Sequence, residues 1–248
     1  MSQSTSPRRI HRVRHELQRR EVEVVRRELI SPNFVSLTFY GETLDSFTSE
    51  GFDDHIKFMF TDLAGNSIRR DYTPRRFDRD ARELTIEFAL HGDGQVCQWA
   101  ERAEVGSRAQ VGGPRGSMIV PLDLDWHMLI ADATGLPAVN RRLEELPAGT
   151  RAIVLLQVDG ADRRNLQSAA DLQLAWFDSA QALFDAVAAL SLPEGEGHTW
   201  GAGEATLMKR IRRLLVEGKG HDKQAMRVAA YWRQGAEGFH EELTDQDD

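Results

Sequence analysis

Arg70, Tyr72 and Thr73 are the residues whose types and spacing point most directly to chemistry. They stand in the run Arg70-Asp71-Tyr72-Thr73, which reads as a strand that stops at Pro74. Alternate side chains of a strand share a face. Arg70 and Tyr72 therefore point the same way, and Thr73 falls at the turn. That face offers a cation for a phosphate, an aromatic plate for a planar ring and a nearby hydroxyl. These are the groups needed to hold a flavin nucleotide. The same residues also fit an edge strand with a solvated basic rim, so the rest of the chain must separate the two readings.

Other positions carry related chemistry. His91-Gly92-Asp93-Gly94 precedes an expected short helix that includes Val96 and Cys97, and the free amides at a helix start can meet phosphate. Ala131-Asp132-Ala133-Thr134 follows an apolar strand and opens a helix. Gly201-Ala202-Gly203-Glu204 also sits between strand and helix. Both are placed for a nucleotide at the carboxyl edge of a parallel sheet, although the second run is not a full Gly-x-Gly-x-x-Gly fingerprint. Arg163 and Arg164 are either cations for a 2′-phosphate or solvated loop charges. Lys57 interrupts the apolar strand Ile56 to Phe60, as an outward residue or as a pocket cation. Trp99, Trp126, Trp176 and Trp200 read as core, whereas Trp232 follows the last strand and could cover a nucleotide or a flavin. No His-Glu-x-x-His, Gly-x-Ser-x-Gly or P-loop is present, and Cys97 is the one cysteine. Zinc, iron–sulfur and serine-hydrolase chemistry have no support. His11 and His15 read as tail residues.

These positions need a scaffold, and the hydrophobic pattern supplies one. The chain has 248 residues, 41% hydrophobic and 28% charged, ordinary values for a globular protein. From about Glu21 to Leu122 it reads as short strands divided by turns, an antiparallel barrel or sandwich. After Pro121 strands alternate with helices, which indicates a parallel sheet. The expected organisation is a disordered basic tail over 1–15, a β-barrel over 16–122, an α/β domain over 123–240 and an acidic tail over 241–248. A net charge of −8 argues against a general nucleic-acid binder. No run approaches the ~20 apolar residues that span a bilayer. With a single cysteine and no apolar export segment at the start, the expected setting is the reducing cytoplasm, and the expected state is a monomer.

Several runs in this order resemble the siderophore-interacting protein family, flavin-dependent ferric-siderophore reductases of the ferredoxin-reductase-like superfamily. They are Gly51 to Lys57, Arg70 to Pro74, His91 to Gly94, Gly112 to Ser117, Leu136 to Ala138, Gly201 to Glu204 and Ala230 to Trp232. The resemblance implies an FAD-binding barrel followed by an NAD(P)-binding α/β domain. It places Arg70 on the FAD diphosphate, Tyr72 against the flavin and Thr73 near its reactive nitrogen. It adds cofactor contacts from His91, Gly94, Val96, Cys97, Gly113, Arg115, Gly116, Ser117, Asp132, Thr134, Gly203, Glu204 and Trp232. The family usually has a small residue and a hydroxyl where this chain has Val96 and Cys97, which leaves backbone contacts there. Lys57, Arg115 and Arg227 match basic positions expected to face an anionic ferric siderophore, with Lys57 and Thr73 nearest the chemistry. The implied reaction carries electrons from NADPH, with NADH as the alternative, through FAD to Fe³⁺. Two other readings stay open: the same scaffold with another acceptor, and a protein that binds siderophore or flavin without turnover.

Overall fold

The structure, a computed structural model, describes residues 9–62, 64–90, 94–236 and 241–244. Strands β1 (His11–Arg14), β2 (Arg19–Ser31), β3 (Phe34–Tyr40), β4 (Ile56–Thr61), β5 (Ser67–Tyr72), β6 (Arg76–Asp78) and β7 (Glu83–Ala89) come first. Helix α1 (Gln95–Arg102) and strands β8 (Arg108–Gly112) and β9 (Gly116–Ile119) complete the amino-terminal half. Seven of these strands form one antiparallel sheet in the order β5-β4-β8-β2-β3-β7-β6. β5 and β6 are its two edges, so the barrel is rolled but not closed by hydrogen bonds. Its inward side chains, among them Val24, Phe39, Phe58, Ile86 and Phe88, alternate with outward polar ones and bury one core that α1 covers through Val96 and Ala100.

The carboxyl-terminal half contains β10 (Trp126–Asp132), α2 (Leu136–Glu145), β11 (Arg151–Gln157), β12 (Asp171–Phe177) and α3 (Ala180–Ala189). It continues with β13 (Gly197–Glu204), α4 (Ala205–Arg213), a π-helical turn over Leu214–Gly218, β14 (Met226–Trp232) and β15 (Glu241–Glu242). The sheet order is β12-β11-β10-β13-β14-β15, parallel except for β15. The central strand β10 is buried along its whole length, as expected where helices cover both faces of a parallel sheet. Among the described residues, no helix is long and apolar enough to cross a membrane.

Residues 9–15 and 241–242 correct the expectation of tails at both ends. β1 pairs with β9, where Gly116 makes the close approach possible: a Cβ there would lie 2.3 Å from the Val13 carbonyl oxygen. Arg9 pairs with Asp123 and Glu196, and Arg12 pairs with Glu242. β15 in turn pairs with β14. The carboxylates that hold these segments lie more than a hundred residues away in sequence, so the local pattern carries no sign of them.

The two halves are joined by buried polar contacts that flank Thr73. Arg141 of α2 donates to Ser49 O at 2.8 Å and to Pro74 O at 3.1 Å. Arg75 spans from Glu87 (3.1 Å) to Glu144 (2.5 Å). Trp200 Nε1 donates to Asp53 at 2.9 Å, and Asp162 accepts from Ser31 and Asn33. Apolar packing crosses the same junction through Phe34, Phe52 and Val120.

His127 and His198 sit opposite each other on β10 and β13, both buried. Burial, then the charge of Arg142, pushes His127 down to about 3. Burial, then His127 and Arg142, does the same to His198. An unfolded imidazole titrates near 6.5, so below that pH the unfolded chain binds protons that the native one does not. Stability is therefore full above 6.5 and is lost progressively as pH falls toward 3. At pH 5 the loss is about 2 kcal/mol for each residue, from 1.36 kcal/mol per unit of pKa difference. Urea melts at pH 7 and pH 5 are expected to show it, and His127→Gln/His198→Gln is expected to flatten the dependence.

Candidate functional site

A cleft of ≈ 810 Å³ lies between the barrel and the carboxyl edge of the parallel sheet. One wall is β5 and its turn. Register places Ile56 opposite Tyr72, Lys57 opposite Asp71 and Phe58 opposite Arg70. The Tyr72 ring packs on Phe88 at 4.5 Å and Phe58 at 6.0 Å, and burial raises its phenol above the usual range. Arg70 donates to the Arg69 carbonyl at 2.8 Å. The strand ends because Pro74 has no N–H to offer, which leaves Thr73 at the floor beside the Arg141–Pro74 contact.

The second wall is the start of α1. Gly94 is its N-cap in an extended conformation and provides no side-chain cap. A Gly cap contributes no side-chain oxygen of its own, unlike Ser, Thr or Asp. Val96 points into the barrel core, and the Cys97 thiol lies 3.5 Å from the Ala89 carbonyl. Neither side chain offers an anion a strong donor, although both line the cleft, so the backbone is better suited to that role.

The third wall comes from the parallel sheet. Asp132 ends β10 and accepts four hydrogen bonds. Thr134 N (2.9 Å) and Thr134 Oγ1 (2.5 Å) reach Oδ1, while Glu204 N (2.9 Å) and Trp232 Nε1 (2.8 Å) reach Oδ2. Burial raises its carboxyl above the usual range, and these donors oppose that shift. Gly203 is required here, because a Cβ would lie 2.6 Å from Asp132 Oδ2. Trp232 is 41% exposed, with its ring anchored at one end and its face open to the cleft.

The arrangement fits an FAD molecule. Arg70 and the start of α1 suit a diphosphate, Tyr72 offers an aromatic surface, and the cleft is large enough to hold an extended dinucleotide. The carboxyl edge of the parallel sheet, with Asp132, Thr134 and Trp232, suits a nicotinamide nucleotide.

Comparison with known proteins agrees. The profile described as siderophore-interacting FAD-binding domain matches residues 23–68 and 61–118, and the profile described as siderophore-interacting protein matches residues 124–235. The chain belongs to the siderophore-interacting protein family. It is 34% identical to the NADPH-dependent ferric-chelate reductase of Escherichia coli (strain K12), over 92% of this chain and 98% of that protein. It is 27% identical to the ferric vibriobactin reductase ViuB of Vibrio cholerae, over 90% and 93%. Among solved structures, a siderophore utilization protein from T. fusca superposes with a TM-score of 0.87 at 32% identity, covering 93% of this chain and 98% of that one. The siderophore-interacting protein SipS from Aeromonas hydrophila gives 0.80 at 28%, covering 88% and 93%.

Within this family member the cleft gathers Lys57, Arg70, Tyr72, Thr73, Gly94, Val96, Cys97, Asp132, Thr134 and Trp232. Gly113, Arg115, Gly116, Ser117, Gly203, Glu204 and Arg227 do not line it, and His91 lies outside the described residues. Ser117 is buried in a structural network with Asp54 (2.5 Å), Glu50 N (3.1 Å) and His15 (2.7 Å). Glu204 caps α4 by accepting from Thr206 N and Leu207 N. Arg115 is exposed beside these residues.

The expectation of a basic substrate face needs correction at Arg227. It is 13% exposed and paired with buried Asp53 at 3.2 Å, so its charge is spent within the fold. Arg163 pairs with Asp178, and Arg164 pairs with Glu87 while stacking over Phe34 at 5.2 Å, so both are held by carboxylates. Sequence reasoning missed Asp71, Gln157, Asp159 and Tyr231, which also line the cleft. Gln157 is in register with Asp132, so the carboxyl-edge rule would have found it had it been applied to β11.

Proposed function

We propose that this chain is an FAD-dependent reductase that uses NADPH to reduce Fe³⁺ in ferric siderophores. The observation that carries the reading is the cleft itself. It sets the diphosphate and flavin groups of the barrel (Arg70, Tyr72, Thr73 and the start of α1) against the nucleotide groups of the sheet (Asp132, Thr134 and Trp232). The matched family, and relatives that carry ferric-chelate reductase names over almost the whole chain, support it.

The chemistry supplied by bound FAD is the conversion of a two-electron hydride donor into one-electron steps at iron. Fe²⁺ is less charged and softer than Fe³⁺, so hard oxygen donors release it more readily. The chain positions, shields and balances charge. The Arg70 guanidinium would hold the diphosphate with its planar fork. Tyr72, fixed by Phe58 and Phe88, would offer an aromatic face to a flavin bound there. Thr73 at the cleft floor would offer its hydroxyl to a flavin ring bound there. Asp132 keeps Trp232 and Thr134 in place at the nicotinamide side. Lys57 at the open rim meets the chelate. The reaction belongs in the reducing cytoplasm, in keeping with a single, part-buried thiol.

The test is direct. Purified protein, reconstituted with FAD where needed, is expected to be yellow. NADPH without oxygen is expected to bleach it, and a ferric siderophore with an Fe²⁺ trap is expected to restore the colour as trapped Fe²⁺ forms. Protein that binds FAD but yields no Fe²⁺ from any ferric chelate would overturn the assignment.

A further inference from the structure

In a parallel sheet of this kind, the pyrophosphate of a dinucleotide sits at the first strand-to-helix turn. Its ribose 2′ position falls at the end of the next strand, where a carboxylate suits a hydroxyl and a cation suits a phosphate. Here the turn runs from Asp132 to Pro137 and the next strand is β11. Gln157, Val158 and Asp159 carry the cleft past the end of that strand. Asp159 is exposed, and its Oδ1 accepts from Ala161 N at 2.9 Å, which leaves Oδ2 without a hydrogen-bond partner among the described residues. Arg163 Nε donates to Val158 O at 3.2 Å, and its guanidinium pairs with Asp178, just past β12 and 87% exposed. Val158 N donates to Phe177 O at 3.2 Å, so the ends of the two strands meet beside Asp159. Arg164 is turned to Glu87 and Phe34 of the barrel, and Asp162 is buried against Ser31 and Asn33. The charged groups left at this edge are Asp159, Asp178 and Arg163, two carboxylates around one guanidinium that is already paired.

We propose, resting on the reductase reading above, that this edge reads the ribose 2′ position as a hydroxyl. NADH then serves as hydride donor at least as well as NADPH, and Asp159 with the Arg163–Asp178 pair sets the choice. Asp159 Oδ2 accepts from a ribose hydroxyl. A 2′-phosphate, with roughly two negative charges, is repelled by the same oxygen and finds Arg163 occupied. The Arg163–Asp178 pair is exposed, so opening it costs little, but the Asp178 carboxylate stays beside the phosphate once it is open. These are specificity-determining residues, since they act on which donor binds and lie apart from the flavin wall of the cleft.

The test reads binding apart from turnover. Calorimetric titration of the FAD-loaded protein gives Kd for NAD⁺ and NADP⁺, neither of which delivers hydride. The wild type is expected to bind NAD⁺ at least as tightly as NADP⁺. Asp178→Asn, which releases Arg163 to a phosphate, is expected to shift the ratio toward NADP⁺ about fivefold. Asp159→Asn is expected to shift it the same way, and keeps the turn because Asn also caps. Arg163→Ala, which leaves both carboxylates bare, is expected to shift it toward NAD⁺. Thermal melts check that the variants fold, and the opposite directions separate charge selection from general damage. Tighter binding of NADP⁺ than of NAD⁺ by the wild type, no binding of either, or an unchanged ratio in both aspartate variants overturns the inference. Anaerobic bleaching with iron trapping tests the reductase reading separately. Bleaching by NADH with no Fe²⁺ from any ferric chelate removes only that reading, and Fe²⁺ formed with NADPH as the sole effective donor removes only this one.

Discussion

Replacing Arg70 with alanine is expected to weaken FAD binding by about a hundredfold, from the roughly 1.5–3 kcal/mol of hydrogen bonds to a charged group. Arg70 stands opposite Phe58 on the edge strand β5, where its stem is supported by the sheet and its head reaches the cleft. Arg70→Lys is expected to recover part of the loss, because an ammonium keeps the charge but not the bidentate fork. Flavin fluorescence titration of the apoprotein gives all three affinities. A Kd within twofold of wild type for the alanine variant would place the diphosphate elsewhere, with the α1 amides alone as its anchor. Arg69, next along β5, is the internal control, because it is more exposed than Arg70 and alternates to the other face of the strand.

Asp132→Asn is expected to be the most destabilising of the near-isosteric changes in the cleft. All four groups around this carboxylate donate. An amide in its place turns an NH₂ toward either Thr134 N or the pair Glu204 N and Trp232 Nε1, whichever way it is flipped. Donors then face donors in a buried place, at a cost of about 3 kcal/mol. For a chain of this size that corresponds to a fall in Tm of roughly 10 °C. The change also frees the Trp232 indole, so the KM for NADPH is expected to rise more than the affinity for FAD falls. Differential scanning calorimetry and a paired NADPH and FAD titration check both parts. A Tm within two or three degrees of wild type would mean that water or an altered rotamer satisfies the donors, and that Asp132 does not organise this edge.

The two variants act on different walls of one cleft, and the contacts between the walls link them. Arg141, Arg75 and Arg164 bridge the barrel to α2 and the loop after β11, and Glu87 both lines the cleft and holds Arg75 and Arg164. The flavin wall and the nucleotide wall are thus fixed relative to each other by buried ion pairs, for which the loss of one partner leaves a charge without compensation.

Local pattern was enough to read much of this protein. Alternation of apolar and polar residues over β3 and β7, and the apolar runs over β10 and β11, follow from which faces each strand buries, and that information lies within a few residues. That Arg70, Tyr72 and Thr73 share one wall of the cleft was legible for the same reason, since they are adjacent on one strand and its turn. The fate of individual charges was not legible. Lys57 is neutralised by a residue fourteen positions away, Arg227 by Asp53 and Arg164 by Glu87, and each pairing depends on strand order and domain docking. Ser117 and Glu204 carry side chains suited to a ligand, yet neighbours brought from elsewhere in the chain or the start of α4 occupy them. Residue type and spacing determined the scaffold and the β5 wall of the cleft, because those depend on short-range periodicity. Tertiary structure decided which cations remain available to a substrate, because a charge is cancelled by whatever the fold places within a few ångströms of it.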